Sequence, residues 1–197
     1  MGIDFQYSRG IDIASRSQGD VGRGTPLSRS SGKNNFSHFN LDTTYAVALD
    51  KNLEFNINTG GQLSLDDLLN SEQSSITGPD KLSGFTSGSI SGDESWYFRG
   101  QLNYKKKLSN KLTLAPYVYG ATGVSYTLTP TATENRATAA KSIGLGLKMD
   151  GIDNYFFDKN ISAKVEYSKN WATGVLEDVS DVRLNKQHLL VNLAMNF

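Results

Sequence analysis

The sequence predicts an all-β protein, an antiparallel β-barrel that crosses a membrane. Three observations predict it: long runs in which apolar and polar residues alternate, connections that alternate between short and long, and aromatic residues near the ends of the runs. Alternation with a period of two is typical of a strand with one apolar face. A strand of a soluble β-sandwich also has one apolar face, so alternation alone does not distinguish the two folds. The lengths of the runs and of the connections favour the barrel, and the sandwich is the less favoured alternative.

In each alternating run, positions of one parity hold most of the large apolar side chains. In one run, for example, Trp96, Phe98 and Leu102 alternate with Tyr97 and Arg99. Most runs are longer than the roughly five or six residues usual for strands and reach the roughly nine to eleven that a tilted membrane strand needs. The eight predicted strands are 2–9, 36–49, 52–66, 96–108, 111–126, 138–149, 159–172 and 186–197.

The connections between these runs fall into two classes. The short ones are Asp50-Lys51 and Ser109-Asn110, with a modest one at 150–158. The long ones are 10–35, 67–95, 127–137 and 173–185. Short turns on one rim and long loops on the other are typical of barrels in the bacterial outer membrane.

Aromatic residues near the run ends predict belts at the two membrane interfaces. They are Phe39, Trp96, Phe98, Tyr104, Tyr126, Trp171 and Phe197. A strand in a bilayer must have every N–H and C=O paired, so we expect the last strand to be complete to its final residue. Its apolar side chains are expected to face lipid and to form a C-terminal signal for the barrel assembly machinery: Leu189, Val191, Leu193, Met195 and Phe197.

Composition excludes several other classes of protein. The 197 residues contain 20 Lys+Arg and 20 Asp+Glu, and this neutral balance argues against a nucleic-acid binder. No apolar stretch is long enough for a membrane helix. The chain has no cysteine, and its two histidines, His38 and His188, lie far apart, so we predict no metal site. No G-x-S-x-G pattern occurs, and we predict neither an enzyme nor a cofactor.

The N-terminus MGIDFQYSRG lacks the basic start and apolar run of a secretory signal. Since an outer-membrane protein must be exported, we expect the chain to be part of a longer precursor.

Ordered pieces of the sequence together carry a resemblance to a known family. They are Leu27-Ser28-Arg29, Phe36, Leu41, Leu69, Ser71-Glu72-Gln73, LSGF at 82–85, SGD at 91–93, WYFR at 96–99, PYVYGATG at 116–123, SIGLGL at 142–147 and the terminal aromatic. This series resembles the outer-membrane transporters of two-partner secretion, of the haemolysin-activator and haemagglutinin-secretion type. The resemblance implies a sixteen-stranded barrel, of which 1–197 would be the last eight strands, without the POTRA domains and the first half of the barrel.

The resemblance also implies a site. In that family a long loop folds back into the lumen, and the arginine of its V-R-G-F/Y tip pairs with the aspartate of an F-x-D-x-G motif on the wall. Here Ser83 stands in place of the arginine and Ala121 in place of the aspartate. The aligned residues are Leu82, Ser83, Gly84 and Phe85 for the tip and Tyr119, Ala121 and Gly123 for the wall. Two alternatives follow: the tip packs on the wall through Phe85 and glycine contacts, or the loop is no longer fixed.

Two further expectations concern the lumen. Parity places Arg99 on the inward face as a lumen-facing charge, with Glu166 and Asp93 as candidate partners. The glycines of SIGLGL are expected to give room to the inserted loop.

The function implied by the resemblance is translocation of an unfolded, β-helical exoprotein, such as a haemolysin or adhesin, across the bacterial outer membrane. The implied partners are outer-membrane lipid, the exoprotein and the barrel assembly machinery, with no nucleic acid. Two alternatives stay open: a barrel assembly factor of the same superfamily, and a small autonomous eight-stranded barrel with a structural or adhesive role.

Overall fold

A computed structural model describes residues 1–11, 29, 31–109, 112–131, 134–153, 160–176 and 179–195. Eight long strands account for most of the described chain: β1 (Gly2–Arg9), β2 (Ser37–Ala48), β3 (Leu53–Ser64), β6 (Glu94–Tyr104), β8 (Thr113–Tyr126), β9 (Ala137–Asp153), β10 (Asn160–Leu176) and β11 (Val179–Met195). Three short strands lie between them: β4 (Ser74–Ser75), β5 (Ser91–Gly92) and β7 (Lys106–Lys107).

The long strands form one antiparallel sheet in the order β1-β2-β3-β6-β8-β9-β10-β11. Each pairs with its neighbours along the chain, β7 pairs with β8, and β4 and β5 form a separate two-stranded piece. Within the described residues no pairing joins β1 to β11, so the sheet is open at these two edges. The prediction of an all-β, antiparallel architecture with eight strands is confirmed.

One predicted loop is wrong. Residues 173–185 were expected to connect two strands, but β10 continues to Leu176 and β11 begins at Val179. The register shifts between Gly174 and Leu176, and the ladder otherwise continues. Similarly, β9 extends to Asp153, inside the turn predicted at 150–158. The alternation of apolar residues marks only the part of a strand that lies against lipid, whereas backbone pairing satisfies N–H and C=O groups beside polar side chains as well.

The two faces of the sheet have opposite character, and the apolar one is exposed. On β8 to β10 most of the large outward side chains are apolar, among them Val118, Ile143, Leu145, Val165 and Tyr167. The inward positions of the same sheet carry buried polar groups, among them Arg99, Gln101, Ser142, Glu166, Ser168 and Asn170. This is the reverse of a soluble protein and is the arrangement of a membrane barrel wall, with lipid outside and a polar lumen inside.

The C-terminal strand follows the same pattern. Leu189, Val191 and Leu193 are exposed on the outward face of β11. The side chain of Met195 and the whole of Phe197 lie outside the described residues. No helix among the described residues is long and apolar enough to cross a membrane.

The buried core lies between the sheet and the connection that links β3 to β6. This connection, residues 65–93, folds onto the inward face, and its Leu68, Ile76 and Leu82 have no exposed surface. Ile76 and Leu82 pack in one cluster with inward residues of the wall: Tyr97, Tyr117, Tyr119, Ala121, Ala140 and Ala172. A loop therefore covers the inward face, as a second sheet would in a sandwich.

Candidate functional site

The loop 65–93 has a paired base and a projecting tip. Ser74 pairs with Gly92 and Ser75 with Ser91, which makes β4 and β5 a small antiparallel base. The tip, residues 82–85, is closed by a turn in which the N–H of Phe85 donates to the carbonyl of Leu82 at 3.2 Å. This geometry carries Ser83 and Gly84 down onto the inward face of the sheet, where both are buried.

Ser83 bridges two strands of the wall. Its hydroxyl accepts a hydrogen bond from Nη1 of Arg99 on β6 at 2.6 Å and donates to Oε1 of Glu166 on β10 at 2.5 Å. The same Arg99 nitrogen donates to the carbonyl oxygen of Lys81 at 3.1 Å. The tip is therefore attached to the wall by a hydroxyl and a backbone carbonyl.

Beneath Ser83, Arg99 and Glu166 form an ion pair within the wall. Arg99 Nη2 lies 3.3 Å from Glu166 Oε2, and the two side chains are only 2% and 1% exposed. The guanidinium carbon lies 3.7 Å from the ring centre of Tyr119, and Nη2 also donates to Gln101 Oε1 at 2.8 Å. Of the two candidate partners named from the sequence, the structure pairs Arg99 with Glu166.

Glu166 has several further donors. Tyr117 Oη donates to its Oε2 at 2.6 Å, and Lys164 Nζ lies 3.1 Å from the same oxygen. A buried carboxylate is costly unless its charge is compensated and its oxygens accept hydrogen bonds. Both conditions are met here, so the charge stays inside the lumen wall at low cost.

Gly84 contacts the wall through its backbone. Asn170 Nδ2 donates to the Gly84 carbonyl at 2.6 Å, while Asn170 Oδ1 accepts from Ser142 Oγ at 2.7 Å. A Cβ at Gly84 would overlap the Asn170 side chain. The close approach of loop to wall therefore requires glycine at this position.

The wall motif predicted from the sequence lies under the tip. Ala121 is buried on the inward face and belongs to the same apolar cluster as Leu82. Phe85 is partly exposed and packs against this cluster. A Cβ at Gly123 would lie 3.2 Å from Ile76, so this position is in contact with the loop as well. Tyr119, the first residue of the wall motif, lies under the Arg99 guanidinium.

The glycines of SIGLGL differ from expectation in what they accommodate. A Cβ at Gly144 would collide with the ring of Tyr119, and one at Gly146 with the ring of Tyr117. They make room for two tyrosines of β8 rather than for the loop itself. Both tyrosines contact the wall residues that hold the loop: Tyr117 donates a hydrogen bond to Glu166, and Tyr119 lies under the Arg99 guanidinium.

Sequence reasoning missed a second buried ion pair, at the rim where the long loops lie. Arg29 Nη1 lies 2.8 Å from Asp93 Oδ1, with 2% and 0% of the side chains exposed, and Arg29 Nε lies 3.2 Å from Glu134 Oε1. We call Arg29, Asp93 and Glu134 the rim anchor. Two pieces of the family resemblance already contained this pair: Asp93 ends the SGD piece, and Arg29 ends the Leu27-Ser28-Arg29 piece. Leu27 and Ser28 lie outside the described residues.

The rim anchor holds both ends of the loop 65–93. Asp93 accepts hydrogen bonds from the N–H of Leu68 at 3.1 Å and from the N–H of Leu128 at 2.8 Å. Arg29 donates to the carbonyl of Thr129 at 2.7 Å. The start of the loop, its end and the β8–β9 connection therefore meet at one carboxylate.

A polar chamber of about 260 Å³ lies beside Arg99 on the inward face. Its lining includes Glu54, Asn56, Asn58, Asp80, Gln101 and Lys148. Among the described residues no group of three or more His, Asp or Glu side chains could hold a metal ion. What the arrangement offers is a set of hydrogen-bond donors and acceptors behind a loop that is attached by polar contacts.

Comparison with known proteins identifies a family. A family model described as haemolysin secretion/activation protein ShlB/FhaC/HecB matches residues 1–149. No curated protein and no solved structure matches the chain.

Proposed function

The chain belongs to the haemolysin secretion/activation family ShlB/FhaC/HecB, and from this premise we propose that it forms part of the wall and gate of a pore that secretes an unfolded exoprotein of the haemolysin or adhesin type. The family is one of outer-membrane transporters for two-partner secretion. The observation that carries the proposal is the position of the loop 65–93, whose tip covers the polar inward face of the sheet.

The wall has the chemistry that an extended polypeptide needs. A passing chain exposes N–H and C=O groups, which are costly to desolvate without partners. The inward side chains Asn56, Gln101, Asn103 and Asn170 carry amides, which both donate and accept hydrogen bonds. Such a surface favours transient binding without selecting a sequence, so we propose transport without any covalent chemistry.

The loop has the properties of a gate because its base and tip are held with different strength. The base is fixed by a fully buried ion pair, whereas the tip is held by the packing of Leu82 and by hydrogen bonds that the wall donates to Ser83, Lys81 and Gly84. Each such hydrogen bond contributes only about 0.5–1.5 kcal/mol net, or about 1.5–3 kcal/mol where one partner is charged. A polypeptide that binds the same wall groups can therefore displace the tip while the base stays in place.

The loop also bears on how wide the pore is. The lumen of an eight-stranded barrel is just wide enough for its own side chains. Here a connection with three fully buried apolar residues, Leu68, Ile76 and Leu82, lies on the inward face as well. This favours a barrel completed by further strands at the open edges, β1 and β11, over an autonomous eight-stranded barrel.

Mass and conductance together test the proposal. Chain 1–197 is refolded in detergent, its oligomeric state is determined by light scattering, and the same sample is inserted into a planar bilayer. A second variant lacks residues 79–85, and a control variant keeps the tip but replaces the exposed Thr86, Ser87 and Ser89 with alanine. We expect a defined assembly in which loss of the tip raises conductance while the control leaves it unchanged.

An unfolded peptide of β-helical repeat sequence should then cause current blockades in the tip-deleted pore. A monomer with little conductance in all three variants would defeat the proposal for this chain alone, because it would mean a small, filled barrel.

A further inference from the structure

The outward face carries an apolar groove at the centre of the sheet. Gly100 on β6 pairs with Gly120 on β8, so two adjacent positions lack side chains and the surface dips between their neighbours. The groove has a volume of about 530 Å³, and the walls are built by Phe55, Leu102, Val118, Ile143, Leu145 and Tyr167. Because this face lies against lipid, an acyl chain rather than water fills such a groove.

One residue of the groove is a cation. Lys169 on β10 is exposed on the outward face, and its Nζ lies 5.4 Å from the ring centre of Trp171. A second lysine lies close by, since Lys141 on β9 is the register partner of Trp171 and is exposed on the same face. Trp171 therefore has Lys169 beside its ring and Lys141 opposite it in the ladder, at the edge of an apolar groove.

The position of the two lysines along the strands indicates which leaflet they meet. β10 runs from Asn160, on the rim of short turns, to Leu176, on the rim of long loops. Short turns are periplasmic in outer-membrane barrels. The exposed apolar side chains Val165 and Tyr167 precede Lys169 on the outward face of β10, and Trp171 follows it towards the rim of long loops. Lys169 reaches on towards Trp171, as a lysine does when it extends its charge to the membrane surface beside an interfacial tryptophan. Its charge is therefore in the outer leaflet.

A cation on a lipid-facing surface is costly near the bilayer centre and nearly free of cost at the interface. The two lysines become favourable where the headgroup carries fixed negative charge. Diagonal neighbours on adjacent strands are about 7–8 Å apart, so both ammonium groups can approach one phosphate. A phosphate monoester binds ammonium donors through charge-assisted hydrogen bonds.

We propose that Lys141 and Lys169 bind a phosphate of lipid A, the phosphorylated and multiply acylated glycolipid of the outer leaflet, with one of its acyl chains in the groove over Gly100 and Gly120. Trp171 packs beside the sugar at the interface. The inference rests on the membrane position of the sheet and is independent of whether the lumen transports a polypeptide.

Displacement of a quenching lipid from Trp171 tests the proposal. The full chain contains two tryptophans, so Trp96→Phe makes Trp171 the single tryptophan, which is excited selectively over the tyrosines. The protein is refolded into bilayers of dibrominated phosphatidylcholine, which quenches Trp171, and unbrominated bisphosphorylated lipid A is titrated in. We expect lipid A to be preferred over phosphatidylcholine by about 25-fold, which corresponds to about fivefold for each lysine near the surface.

Matched variants identify the source of the preference. Lys141→Gln with Lys169→Gln should remove it, whereas Lys106→Gln with Lys107→Gln, two exposed lysines at the short-turn rim, should keep it. Both pairs leave buried residues untouched, and heat-dependent migration on gels verifies folding. The proposal is overturned if dephosphorylated lipid A or phosphatidylglycerol binds as well as lipid A, or if the Lys141 and Lys169 changes have no effect. Loss of conductance alone, with the lipid preference intact, would bear only on the transport proposal.

Discussion

Arg99 lies directly across the β6–β8 ladder from Ala121. Ala121 stands where the family resemblance places the aspartate that pairs with an arginine of the loop tip. In this chain the guanidinium comes from the wall itself, and the tip contributes the Ser83 hydroxyl. The ion pair is Arg99–Glu166, so the charges of the site lie entirely in the wall and the loop is attached to them by hydrogen bonds.

Removing the Ser83 hydroxyl should loosen the tip without disrupting the wall. In Ser83→Ala the Arg99–Glu166 ion pair remains, but each of these two residues loses its hydrogen bond with the Ser83 hydroxyl. We expect the free energy of unfolding to fall by about 1–3 kcal/mol. Trypsin should cleave after Lys81 faster than in the unmodified chain. Ser87→Ala, in an exposed part of the same loop, is the control and should change neither quantity. Equal cleavage rates for both variants would contradict the role of Ser83.

Neutralising one member of the wall ion pair should cost more than replacing both. Glu166→Gln leaves the Arg99 charge buried and is expected to lower the free energy of unfolding by about 3–5 kcal/mol. Arg99→Met with Glu166→Met removes both charges, and we expect most of that loss to be recovered. Urea unfolding of the refolded protein in lipid vesicles measures both. A double variant as unstable as the single one would mean that the pair stabilises the wall beyond charge compensation.

Gly84 should tolerate no side chain. In Gly84→Ala the new Cβ collides with Asn170, so the tip must move off the wall and the hydrogen bond from Asn170 to the Gly84 carbonyl is lost. We expect single-channel conductance to rise. Gly120→Ala is the matched control, because no atom lies within 4 Å of the Cβ position there. If Gly84→Ala and Gly120→Ala conduct alike, the tip does not obstruct the lumen.

The rim anchor should control the base of the loop. Asp93→Asn leaves Arg29 with a single carboxylate partner, Glu134, which is partly exposed, and we expect a loss of about 3–5 kcal/mol in the free energy of unfolding. Hydrogen exchange should speed up at the N–H groups of Leu68 and Leu128, which donate to Asp93. Asp80→Asn, at an exposed position of the same loop, should leave both unchanged. Unaltered exchange in Asp93→Asn would exclude an anchoring role.

Parity was the most informative property of the sequence. Because side chains alternate between the two faces of a strand, the residue number alone assigned Arg99 and Ala121 to the inward face and Val191 to the outward one. The same rule failed at 173–185, because the hydrogen-bond ladder of β10 and β11 extends past the residues that face lipid. The alternation of apolar and polar side chains shows which part of a strand faces lipid, and the strand can continue beyond that part.

Partners were harder to predict than faces. Asp93 and Glu166 were equally open as partners of Arg99, since both are acidic and parity does not specify how far apart two strands lie. The sheet order decides the matter: Glu166 is on β10, within reach of Arg99 across β8 and β9, while Asp93 lies at the rim with Arg29. Neither Asn170 nor Ser142, the first residue of SIGLGL, carried a signal of contact with the loop, because amides and hydroxyls are common on any lumen wall.

By itself the sequence determined the number of long strands, their faces and the family, since these follow from periodicity and from ordered local motifs. Only the tertiary structure decided how the loop 65–93 is held. Ser83 of the tip contacts Glu166, which follows it by 83 positions in the chain, and Gly84 contacts Asn170, which follows it by 86. Contacts of this kind depend on strand order, register and the room left by Gly84, and these are set by the packing of the whole sheet rather than by any local pattern.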